Sequence, residues 1–195
     1  MINERLAALR AIMQREGWDA VIVPGSDPHN SEYTPARWRQ RRFLSGFTGS
    51  YGTLCITQDH AGIWTDTRYF IQVERQLAAT EYVLHRLRVP DAVDVPEWLA
   101  TVPAGAGTVC IDGSCTSVAD AEHLREVLAP RGGRVVDRAD FIDELWDDRP
   151  DTPTTPSSSS PTSSRAAPPP TSCAGCAPAS APTDATACSS TPSTR

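Results

Sequence analysis

Arg42–Phe70 reads RFLSGFTGSYGTLCITQDHAGIWTDTRYF. Two short apolar runs, TLCIT and AGIWTD, flank Gln58-Asp59-His60, a polar connection of hairpin length. SGFTGSYG leads in, with glycines at 46, 49 and 52 that permit backbone conformations residues with a Cβ resist. RYFIQVERQL leads out with helical spacing of apolar residues. The stretch therefore reads as loop, strand, turn, strand, helix. A hairpin flanked by helices must hide one face, so Phe47 and Trp64 are expected to be buried.

Working outward, residues 4–16 carry Leu6, Leu9 and Met13 on one helical face, with Asn3 as cap and Gly17 as stop. DAVIVP at 19–24 is a short strand closed by Pro24. Residues 25–35 are a polar loop, and 37–43 a short basic helical segment. After the hairpin come a helix over 68–79, a strand over 82–87, a short helix over 93–100 and a strand over 108–111. Ser117 caps a helix to Ala129, with Val118, Ala121, Leu124 and Leu128 inward. A short strand at Val135-Val136 and a helical turn over 140–146 finish the series. Helices and strands alternate throughout, which predicts an α/β sandwich with a mixed sheet.

Four segments in order resemble the creatinase/prolidase N-terminal domain as it occurs in Xaa-Pro aminopeptidases (aminopeptidase P). They are GSDPHNSEY at 25–33, RRFLSGFTGSYGT at 41–53, AGIWTDTRYFIQVERQL at 61–77 and ELWDDRP at 144–150. The resemblance covers about residues 1–150 and implies a roughly six-stranded mixed sheet flanked by helices, of ribonuclease H-like type. In such enzymes a following domain holds two divalent metals, usually manganese, and removes the N-terminal residue from peptides with proline second. None of those ligands is assigned here, so catalytic and metal residues are none and the chain alone is expected to be inactive. The resemblance also implies that this domain covers the cleft for proline-containing peptides and contributes to a homo-oligomer interface. The competing reading is a free-standing binding or regulatory module that pairs with a full-length paralogue.

Within Trp64-Thr65-Asp66-Thr67-Arg68-Tyr69-Phe70, the resemblance implies that Arg68 reaches the substrate region. Thr67 stands where many relatives have Gly. A guanidinium presents a planar donor fork to a peptide carbonyl or carboxylate. The structural alternative is an Arg68–Asp66 ion pair. Asp27, His29 and Glu32 have metal-capable types, but without an HExxH pattern loop capping or a position near the cleft is the expected role. No Ser-His-Asp or Cys-His arrangement can be defended, and SGFTGSYG lacks the Lys-Ser/Thr ending of a phosphate loop.

The 195 residues divide sharply. Residues 151–195 contain no aromatic residue and no Leu, Ile or Val, so they cannot bury enough surface to offset the entropy of ordering. They are expected to be a disordered Ser/Pro/Thr/Ala-rich tail, and mucin-like and linker readings fit the same composition. A GC-rich gene read off-frame yields similar text, so a frameshift near residue 156 is a further reading, tested by the nucleotide sequence there. Cys173, Cys176 and Cys188 lack the fourth ligand a zinc site needs. Cys55, Cys110 and Cys115 read as reduced, partly buried thiols.

The net charge is −6, and all 18 basic residues are Arg. An acidic domain argues against nucleic acid. Arg37, Arg39, Arg41 and Arg42 are therefore read as a solvated face or internal ion pairs. No run approaches the roughly 20 apolar residues that span a bilayer, and no secretory signal is visible, so a cytoplasmic location is expected.

Overall fold

The computed structural model describes residues 1–154, which form one compact unit. From residue 155 onward, the readings of the tail and of Cys173, Cys176 and Cys188 lie outside the described residues. The elements are α1 (Ile2–Glu16), β1 (Ala20–Val23), α2 (Gln40–Ser45), β2 (Thr53–Thr57), β3 (Ala61–Thr65) and α3 (Phe70–Gln76). They continue as β4 (Tyr82–Arg86), α4 (Val95–Thr101), β5 (Thr108–Ile111), α5 (Val118–Leu128) and β6 (Arg134–Asp137). The six strands form one mixed sheet in the order β4-β3-β2-β1-β5-β6. β2 pairs antiparallel with both neighbours and the other pairs are parallel, so five strands run one way and β2 runs back.

Alternation along the strands builds two cores. Val21, Val23, Leu54, Ile56, Ile63 and Cys110 face α1, α2 and α3, where Leu6, Leu9, Met13, Leu44 and Val73 meet them. Ala20, Cys55, Trp64, Val109 and Ile111 face the other way, toward Val95, Leu99, Ala121, Leu124 and Leu128 of α4 and α5. The expected α/β layering, with a six-stranded mixed sheet flanked by helices, is what the chain forms. The hairpin register pairs Thr53 with Trp64 and Ile56 with Ala61. Phe47 and Trp64 are both fully buried.

Several local expectations are corrected. Asn3 does not cap α1: Met1 stands at the cap, and Asn3 Oδ1 instead accepts the Glu81 backbone N–H (3.3 Å). Val118 is 73% exposed at the first turn of α5, where a side chain still overhangs the helix end. α4 starts later than expected because Asp94 and Glu97 form a reciprocal capping box, a D-x-x-E signal present in the sequence. Gly46 and Gly52 have positive φ, but Gly49 does not; there a Cβ would run into the rings of Phe47 and Tyr69. Gly49 thus provides room rather than backbone freedom. Cys55, Cys110 and Cys115 are free and buried, and burial pushes Cys110 up to about 12 and Cys115 up to about 11.

Trp64 anchors an aromatic cluster under α4. It stacks on His85 (centroids 3.8 Å apart, 8° between planes), and Trp98 meets it edge-on at 5.2 Å. His60 Nε2 lies 2.9 Å from His85 Nε2, so one ring must donate and the other accept. Burial first, then the His60 neighbour, pull His85 down to about 4. Burial lowers His60 as well. The unfolded imidazole titrates near 6.5 and takes up protons that the folded one refuses, so stability is lost as pH falls from about 6.5 toward 4. Between pH 7.5 and 5 the expected loss is about 2 kcal/mol, read from urea midpoints. Equal midpoints at the two pH values would contradict this pairing.

Candidate functional site

Because five strands run in one direction, the loops after β1, β3, β4 and β5 gather at one edge, together with the start of β2. The carboxyl ends of parallel strands are where open α/β sheets present their ligand contacts. Asp66 and Arg68 follow β3 there, and Leu87 and Arg88 follow β4. Leu87 N–H donates to Thr65 O (2.8 Å), which ties the two strand ends together.

Asp66 is 1% exposed. Its carboxylate accepts Arg68 Nη2 (2.8 Å), Arg68 Nε (3.0 Å) and the Arg68 backbone N–H (3.2 Å). The Arg68 hydrogen bond holds the Asp66 carboxyl below the usual range, against burial. The structural alternative for Arg68 is therefore present as an ion pair. Yet the Arg68 side chain is 57% exposed, so a buried carboxylate orients a guanidinium that still faces solvent. The chemistry is positional: a fixed positive fork at the ligand edge can take a carbonyl or carboxylate oxygen.

Two neighbours had no signal in the sequence. Arg88 has a left-handed backbone (φ 57°), and its Nη1 lies 3.6 Å from Asp66 Oδ2. The Tyr51 ring lies 5.7 Å from Arg68 Cζ and 5.4 Å from Arg88 Cζ, within the range of cation–π attraction. No motif contains both Tyr51 and Arg88; only the adjacency of the β2 start to the β3 and β4 ends brings them to Asp66.

Tyr51 also lines a cleft of about 500 Å³ that opens on the α4 and α5 face. Trp64, Leu87, Ile111, Cys115 and Leu124 give it an apolar floor. Asp94 and Ser117, the caps of α4 and α5, stand at its rim with Asp120. Those helix ends are already served by their own side chains: Asp94 Oδ1 accepts Glu97 N–H (2.9 Å) and Ser117 Oγ accepts Asp120 N–H (3.1 Å). The cleft suits an apolar or neutral polar group more than an anion.

The first loop is shaped as expected. Asp27, 3% exposed, accepts backbone N–H groups from His29 (2.9 Å) and Ser31 (3.0 Å) through one oxygen. Burial works against its charge, and these hydrogen bonds hold its carboxyl low all the same. His29 and Glu32 are exposed and do not converge with it. Among the described residues, no group of three His, Cys, Asp or Glu side chains is placed to hold a metal ion. Among them too, no helix is long and apolar enough to cross a membrane.

Fold and edge together define an α/β layer that presents an oriented arginine at the carboxyl ends of its parallel strands. The family follows from the sequence itself: the creatinase/prolidase N-terminal domain model matches residues 5–145, and the chain belongs to that family. Aminopeptidase P2 of Arabidopsis thaliana is 38% identical over 159 residues, 79% of this chain and 22% of that protein. Aminopeptidase P1 of Lotus japonicus is 39% identical over 152 residues, 76% of this chain and 23% of that protein. The chain thus spans about a quarter of the length of these curated relatives. Among solved structures, an X-prolyl aminopeptidase of Caenorhabditis elegans superposes with a TM-score of 0.73 at 29% identity, over 77% of this chain and 26% of that one. It is described as a cytosolic enzyme with a di-nuclear active site. A creatinase/prolidase-like N-terminal domain from Corynebacterium diphtheriae, solved as a separate domain, gives 0.54 at 27% identity, over 72% of this chain and 98% of that one.

Proposed function

We propose that this domain is the non-catalytic N-terminal domain of an Xaa-Pro aminopeptidase and forms one wall of its peptide cleft. One observation carries the proposal: buried Asp66 holds the solvent-facing Arg68 guanidinium at the ligand edge, beside the Tyr51-lined cleft. Arg68 would bind and orient a peptide carbonyl or carboxylate. The described residues do not fit a pair of divalent metals, because no three candidate ligands converge. Metal chemistry would therefore come from a separate domain, and no step of hydrolysis is assigned to the residues described here. The same reading includes proline-containing peptides as substrates of the complete enzyme, a cytosolic location, and a homo-oligomer contact through this domain. Exposed Ile71 and Val83, on α3 and the edge strand β4, offer apolar surface for such a contact.

The test is Arg68→Ala in a complete enzyme that contains this domain, assayed on peptides with proline second. A hydrogen bond to a charged group contributes about 1.5–3 kcal/mol, so kcat/KM is expected to fall about 10- to 100-fold. The urea midpoint should fall as well, by the equivalent of about 1–3 kcal/mol, because buried Asp66 loses its partner, so kcat/KM is measured where the variant is still folded. Unchanged kcat/KM would leave Arg68 as a structural partner of Asp66 only.

A further inference from the structure

The four arginines of the basic segment do not share one fate. Arg37 lies 3.6 Å from both Asp140 and Asp143, as an ion pair would require, and Arg39 and Arg42 are exposed. Arg41 contradicts the expectation of a solvated face or an ion pair: it is 7% exposed and has no carboxylate partner among the described residues. Its Nη1 donates to Gly52 O (2.7 Å), its Nη2 donates to Gly49 O, and its Nε–H is buried with no partner among the described residues. A Cβ on Gly25 would lie 2.5 Å from Nη1, so glycine at that position leaves the guanidinium its place.

A buried charge without a counter-charge is costly, and its usual remedy is a hydrogen-bonded ion of opposite sign. Burial alone pulls this guanidinium down to about 10. Only two of the five N–H bonds of a guanidinium are engaged here, both by neutral carbonyls. Arg41 also lines a cavity of about 250 Å³, separate from the Tyr51 cleft. Trp38 and Phe47 give that cavity aromatic walls, Arg39 and Arg42 add positive charge, and Ser50 adds a hydroxyl. The one acid on its lining is Glu32, which is exposed.

We infer that this cavity is a recognition site for a carboxylate carried by a group about one amino-acid residue in size, with the Arg41 guanidinium as the principal donor. A carboxylate suits the fork because its two oxygens can take adjacent N–H groups side by side. At about 250 Å³ the cavity is below the roughly 300 Å³ where pockets for drug-sized ligands begin, which suits a group of about one residue. The carboxylate can come from a peptide C-terminus or from an acidic side chain. The site does not depend on the peptidase reading, since its residues are separate from Arg68 and the Tyr51 cleft.

The test follows the Arg41 Nε–H resonance by NMR in the full chain. Titration with N-acetylglycine, a mimic of a chain end, or with N-acetyl-aspartate amide, a mimic of an acidic side chain, should shift it saturably. Neutral N-acetylglycinamide and sodium chloride at equal ionic strength should not. The arm that responds names the source of the carboxylate. Arg41→Lys removes that resonance, so its loss of response is read from the Ser50 backbone amide on the cavity wall, but it also removes loop hydrogen bonds. Arg42→Gln on the exposed rim therefore serves as a second variant, expected to weaken binding about twofold to fivefold. No shift with either carboxylate, or an equal shift with chloride or the neutral amide, overturns the site. So does a Glu32→Gln variant whose ligand-free Nε–H moves as far as ligand moves the wild type, since Glu32 would then already supply the acid.

Discussion

Replacing Trp64 with Ala is expected to cost about 3–5 kcal/mol, the range for truncating a buried large aromatic. Trp64 is fully buried at the centre of the second core, between the sheet and α4. It stacks on His85 and meets Trp98 edge-on, and its Nε1–H donates to Val93 O (3.1 Å). Gly62, two residues before it on the same strand face, leaves the space its ring occupies; a Cβ there would run into the indole. Alanine would therefore leave a void lined by residues that cannot collapse into it together. Against the roughly 5–15 kcal/mol that holds a domain together, this is a large share. Urea unfolding at pH 7.5 measures it. Trp64→Phe should keep much of the stack and lose about 1 kcal/mol from the hydrogen bond, with a further loss for the smaller ring. A loss under about 1 kcal/mol for Trp64→Ala would show that the ring, which also floors the Tyr51 cleft, packs loosely against that opening.

Much of this was legible in the sequence because local and global signals agree in the hairpin. TLCIT and AGIWT are near-continuous apolar runs, as strands covered on both faces are, and the polar Gln58-Asp59-His60 turn fixes their register. Ser117 caps α5, and Gly17, with φ at 71°, ends α1. Asn3 failed as a cap because a capping residue competes with whatever precedes it, and the chain extends the helix back to Ile2. Of the candidate site, Arg68 and Asp66 could be found because they sit two residues apart in one motif. Tyr51 and Arg88 could not, since their meeting depends on strand order rather than on spacing. Arg41 was misread for a related reason. Charge composition describes a segment as a whole, whereas a single helical step in α2 sends Arg41 inward and leaves Arg42 in solvent.

The second large effect concerns catalysis. A polypeptide of these 195 residues, given manganese and a peptide with proline second, is expected to release no N-terminal amino acid above background. Hydrolysis of a peptide bond at neutral pH needs an activated water and stabilisation of the developing oxyanion. Among the described residues no three candidate metal ligands converge, and the proposed role of this domain as a cleft wall leaves the activated water to a separate domain. The direct measurement is amino-acid release by the purified chain with manganese present, in a preparation free of host peptidase, beside a complete relative as positive control. Release by the relative with none from the chain is the predicted result; manganese-dependent release by the chain alone would contradict the account.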